Sequence, residues 1–82
     1  MSENLEEYSE NVLNTVSANV KKYRELKGIS QLQLALDIGM KSPAYLGRAE
    51  LRKDNLRFNI IHLAKISKVL DIPIELFFEP AD

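Results

Sequence analysis

Apolar side chains recur along this chain at steps of three and four residues, the period of an α-helix. Leu5, Tyr8, Val12, Val16, Val20 and Tyr23 carry that rhythm through the first quarter of the sequence. They predict a long helix over about residues 5–27. Asn4 and Glu7 have the spacing of a capping box at its start, and Gly28 stands where it stops. Its first two turns are expected to fray or to form a separate piece. Ser30 and Gln33 make a second capping box, opening a helix over about 31–38 with Leu32, Leu34, Ala35 and Ile38 on its apolar face. Gly39 falls where a left-handed residue is least costly. Ser42 is placed to cap a third helix, about 43–50, with Pro43 at its first position. Residues 51–58 read as a polar, basic connection. Asn59 caps a fourth helix, about 60–70, which aligns Ile60, Leu63, Ile66 and Leu70. Asp71, Ile72 and Pro73 reset the chain, and residues 73–78 form a short terminal helix ended by Pro80. No strand-like alternation of useful length occurs. The pattern predicts an all-α fold, a five-helix bundle in one domain over residues 1–82.

Size changes the picture first. A domain of 82 residues buries only about 60% of its unfolded surface, and this one has no cysteine for a disulfide or thiolate metal site. Dimerisation is expected on those grounds. No apolar run approaches the roughly 18 residues of a membrane span, and the acidic start lacks the features of a signal peptide. A cytoplasmic protein with no membrane partner is expected. His62 stands alone, so no metal is expected. No Gly-rich phosphate loop or nucleophile motif is present, so neither a cofactor nor an enzyme is expected.

The net charge of −1 hides an asymmetry. Residues 1–20 and 69–82 each carry four acids and no base. All eleven bases lie in 21–68 against four acids, which leaves the middle at +7. A basic centre between acidic ends fits a DNA-facing surface; the plain alternative is an unevenly charged solvated surface. The two short helices around Gly39 favour the former. Ala35 lets them cross closely, and such a pair is a common way to set a helix in the DNA major groove.

These residues resemble a known family. Gln31, Ala35 and Gly39 have the spacing of the Cro/phage-repressor type of helix-turn-helix, also called xenobiotic-response-element-like. Tyr45-Leu-Gly-Arg-Ala-Glu50 resembles the end of its recognition helix. Residues 20–30 and 63–73 resemble its first and fourth helices. The length, the extra N-terminal turns and the ending Ile72-Pro-Ile-Glu-Leu-Phe-Phe78 look most like restriction–modification controller proteins; phage- and antitoxin-type regulators are similar. Three departures stand out. The turn from Gly39 to Tyr45 is one residue longer than usual, and the link from Glu50 to Asn59 about two. Ala49 replaces a large apolar residue, a volume for Leu51 or Phe58 to fill. The resemblance implies a lambda-repressor-like fold with its helix-turn-helix over about 31–50. It implies a sequence-specific transcription regulator, acting as a homodimer on near-palindromic double-stranded DNA. RNA polymerase is a further expected partner.

The resemblance puts Gln31 on phosphate. Lys41, Arg52, Lys53 and Arg57 flank the motif and suit phosphates, with Lys21, Lys22 and Arg24 extending the patch. The recognition helix offers Ser42, Pro43, Ala44, Gly47 and Arg48 to the bases, and the Tyr45 hydroxyl to a phosphate. Arg48 alone can make a bidentate contact to guanine, but equally suits phosphate or a pair with Glu50 or Asp54. Glu50 is expected in an intramolecular ion pair or helix hydrogen bond. The dimer region is expected over about 70–79, with Leu70, Ile72, Ile74, Leu76, Phe77 and Phe78, one of the two phenylalanines closing the core and the other meeting the partner. The thin set of base-reading side chains leaves a second reading, a protein-binding module that kept the fold without DNA recognition.

Overall fold

A computed structural model of the chain describes residues 4–80. Among them are four α-helices: α1 Leu5–Leu26, α2 Gln31–Asp37, α3 Pro43–Glu50 and α4 Ile60–Leu70. No strand occurs among the described residues. Two short 3₁₀ segments complete the fold, Lys53–Asn55 and Ile74–Phe78. The expected fifth helix is therefore the second of these. Five residues after Pro73 close only the tighter i→i+3 turns. The expected helix α1 is continuous from its first turn, with Asn4 Oδ1 accepting from Glu7 N at 2.7 Å.

Helix ends follow local chemistry. Gly28 and Gly39 take φ of +71° and +74°. After each, the chain folds back onto its helix: Ile29 N donates to Arg24 O at 3.1 Å, and Met40 N to Ala35 O at 2.9 Å. These are Schellman closures, which satisfy carbonyls that a helix end leaves open. Helix α4 ends on Asp71 in the left-handed region, where Ser67 Oγ donates to Ile72 O at 2.6 Å.

Two expected caps are only partly made. Ser30 Oγ accepts from Gln33 N at 3.0 Å, but Gln33 Nε2 donates to Asp37 Oδ1 at 2.7 Å rather than reaching back. Ser42 makes no side-chain cap, so Pro43 with its preset φ starts α3. The complete capping box lies instead at α4, between Asn59 and His62.

The helices surround one core. Val16 and Val20 of α1 meet Leu34 and Ala35 of α2, Leu46 and Ala49 of α3, and Leu63, Ile66 and Leu70 of α4. Phe77 closes it from the terminal segment, edge-on to Tyr23 at 6.4 Å between centroids. Asn19, buried on α1, donates to the carbonyls of Phe77 and Glu79 at 2.9 and 2.8 Å. That pins the chain end to α1. Leu70 and Phe77 thus belong to the monomer core; this corrects the dimer expectation for Leu70, while Phe77 is the one of the two phenylalanines that closes the core. Ile72, Ile74 and Leu76 are half-buried, while Phe78 is exposed. Phe58 is buried in the same core as Ala49, whereas Leu51 faces out.

Candidate nucleic-acid interface

Helix α3 is fixed by charge as well as by apolar packing. Leu46, Ala49 and Glu50 face inward. The Glu50 carboxylate takes Nε of Arg24 at 2.7 Å and Nη2 at 3.1 Å, a two-point bridge to α1. Arg24 Nη1 also donates to Ile29 O at 2.8 Å. Gln31 Nε2 completes the cluster by donating to Glu50 Oε1 at 3.0 Å. One buried carboxylate thus ties together the end of α1, the start of α2 and the end of α3. Removing either charged partner strands the other in a low-dielectric interior.

The Gln31 side chain lies flat across α3 at Gly47. A Cβ on Gly47 would meet Gln31 Oε1 at 3.0 Å. Gly47, expected to face the bases, instead seats Gln31; this is a correction. Ser42, Pro43, Ala44 and Arg48 remain exposed on α3.

The connection after α3 wraps back onto the motif. Arg52, Asp54 and Asn55 all take positive φ, between 54° and 59°. Asp and Asn accept that region more readily than most residues, whereas Arg does not. Arg52 is held there by three partners: Nε donates to Leu56 O, Nη1 to Asn14 Oδ1 and Nη2 to Glu10 Oε1, at 2.9–3.0 Å. Its side chain is only 10% exposed. Arg52 is expected on phosphate; it is instead a strap from the loop to α1, with three of its five N–H groups engaged and its side chain largely buried.

The same loop is drawn to α3 at two points. Arg48 Nη2 pairs with Asp54 Oδ2 at 2.6 Å, one of the alternatives open to it from the sequence. Both groups are well exposed, so the pair is worth about 0–1 kcal/mol and a nucleic acid can displace it. The Tyr45 hydroxyl donates to Arg57 O at 2.8 Å. That spends its one proton, and the expected phosphate contact through this hydroxyl is withdrawn. The bond seats Arg57 beside α3. Lys41, Lys53 and Arg57 are exposed and make no ion pair among the described residues. Arg24 leaves the expected basic patch because it is buried, and Lys22 lies 5.1 Å over the Tyr23 ring.

His62 has a structural part. Its Nδ1 accepts from Asn59 N at 3.2 Å while Asn59 Oδ1 accepts from His62 N at 2.7 Å. Its ring packs on Tyr45 and Phe58. Burial first, and then the charge of Lys65, hold its pKa below the usual 6.5.

The buried Arg24–Glu50 bridge had a signal in the sequence. Arg24 follows Val16 and Val20 by the same step of four, and Glu50 follows Leu46 by four. Opposite charges that each continue an apolar stripe are candidates for one buried pair. No comparable signal marks the Arg52 strap.

Compared with known proteins, residues 20–77 match the family model described as helix-turn-helix. No curated protein and no solved structure matches the chain.

Proposed function

The chain belongs to the helix-turn-helix family, and from that membership we propose a homodimeric regulator that reads a near-palindromic operator, of the restriction–modification controller kind. The family is a DNA-binding regulatory domain rather than a catalytic one. The observation that carries the reading is the outward face of α3. It presents Ser42, Pro43, Ala44 and Arg48 on a helix that cannot roll, because Glu50 is bridged to Arg24 and Gln31. Exposed Lys41, Lys53 and Arg57 border that face.

In this reading α3 enters the major groove. Lys41, Lys53 and Arg57 hold phosphates, and Gln31 adds its remaining amide proton. Ala44 or Pro43 meets a thymine methyl. Arg48 leaves Asp54 for guanine or phosphate. Few donors face the bases, so DNA bend and groove width supply part of the choice. RNA polymerase is the further partner that regulation at a promoter requires.

The test is selection from random duplexes followed by salt titration. A bound duplex should be enriched, and log affinity should fall with log salt by about 0.9 per phosphate neutralised. No enrichment at low salt sinks the reading in favour of a protein-binding module.

A further inference from the structure

The start of α1 is held to the domain at Glu10 by Arg52 but leaves its apolar side chains in solvent. Residues 4–11 are all exposed, with Leu5 at 85% and Tyr8 at 59%. Large apolar side chains aligned in solvent on one helix face are a candidate contact surface. Leu5, Tyr8, Val12 and Thr15 follow one another at steps of three, four and three. Those are the a and d positions of a heptad, the seam of a coiled coil. The acids Glu6, Glu7 and Glu10 fall at b, c and f, off the seam, where Ser9 and Asn11 flank it. Two copies of this acidic helix can therefore meet without carboxylates at the contact.

A concavity of about 250 Å³ opens on the same face, lined by Tyr8, Asn11, Val12, Thr15, Phe78 and Pro80. The first four stand at i, i+3, i+4 and i+7. They are the corners of the hole that a knob from a facing helix fills. Phe78, 44% exposed, walls one side with Pro80.

We infer that this face is the two-fold seam of the homodimer, with α1 of a second copy crossing antiparallel and its Tyr8 seated in the hole. The patch carries both knob and hole, which is the self-complementarity a two-fold contact requires. An antiparallel crossing sets a against d. Tyr8 then opposes Val12 of the other copy, and Leu5 opposes Thr15, beside Phe78. A parallel crossing would set the two acidic ends side by side. The antiparallel arrangement also opposes the helix dipoles. The inference rests on the homodimer reading and refines it. Phe78 is the residue of the terminal segment that meets the partner, and α1 supplies the rest.

The experiment is sedimentation equilibrium of the whole chain without DNA, with circular dichroism as a check on folding. Wild type should be a dimer. Tyr8→Glu and Phe78→Asp change exposed side chains, so both should stay helical while self-association weakens at least about tenfold. The sequence has no cysteine, so a mixture of Leu5→Cys and Thr15→Cys chains gives an independent reading. Oxidation should join one variant to the other. A wild type that stays monomeric at millimolar concentration overturns the seam and the homodimer together. A Tyr8→Glu chain with wild-type dimer affinity overturns the seam and leaves the homodimer standing. Leu5→Cys chains that join only to themselves overturn the antiparallel crossing. DNA affinity enters none of these measurements.

Discussion

At the residue scale, the decisive group is a carboxylate that touches no ligand. Glu50 gathers Arg24 and Gln31, and through them joins α3 to α1 and α2. A buried bridge of this kind contributes little net stability over apolar packing, yet breaking it from one side is costly. Glu50→Leu alone strands the Arg24 guanidinium and should lower unfolding free energy by about 3–5 kcal/mol in urea. Adding Arg24→Met removes the stranded charge, and stability should return to within about 1 kcal/mol of wild type or exceed it. The double variant still lacks the acceptor of Gln31. Its DNA affinity should stay about tenfold low, the worth of one hydrogen bond held in place. Wild-type affinity in the double variant would show that Gln31 needs no such anchor.

At the element scale, the loop from α3 to α4 divides its cations by role. Arg52 braces the loop against Glu10 and Asn14, while Lys53 and Arg57 face solvent. Arg52→Ala should lower the thermal midpoint and leave the salt slope of DNA binding unchanged. Lys53→Ala and Arg57→Ala should each reduce that slope by about one and leave the midpoint alone. The reverse assignment would return Arg52 to the phosphates. Helix α4 adds a pH dependence through its cap. The His62 pKa is lowered by folding, so the unfolded chain binds the proton more tightly. Stability from this group is full above the unfolded value of about 6.5 and is lost as pH falls through the folded one. Urea midpoints should therefore drop on acidification below pH ~6.5, and less so in His62→Ala. A variant with an unchanged pH profile would remove His62 as the cause.

These elements also show what the sequence carried. Starts and stops at Asn4, Gly28, Gly39 and Asn59 rest on local rules, and they were legible. So was the Gln31–Ala35–Gly39 frame. The Arg52 strap was not, because its partner Glu10 lies 42 residues away and its backbone angle is set by that reach. The terminal segment was legible in part. Its apolar excess left open which phenylalanine closes the core; Asn19 holds the Phe77 carbonyl, Phe77 is buried and Phe78 is exposed.

At the scale of the whole molecule, a charge of −1 means that the nucleic acid must be met by one face. Acidic ends flank the basic middle, so the field orients the chain as well as attracting it. One recognition helix with a thin set of donors discriminates weakly. In the proposed homodimer two are held at a fixed separation and multiply the discrimination, provided the half-sites lie about one turn, ~34 Å, apart. Rigid coupling then makes spacing as informative as sequence. Inserting about 5 base pairs between half-sites turns one of them to the opposite side of the duplex, and dimer affinity should fall to that of a single half-site. Tyr8→Glu should bind a single half-site as wild type does and gain nothing from the second. Equal wild-type affinity for the native and the 5-pair-expanded site, by titration at fixed salt, would mean that the two helices are not held by one rigid seam. Each copy would then have to read its half-site independently.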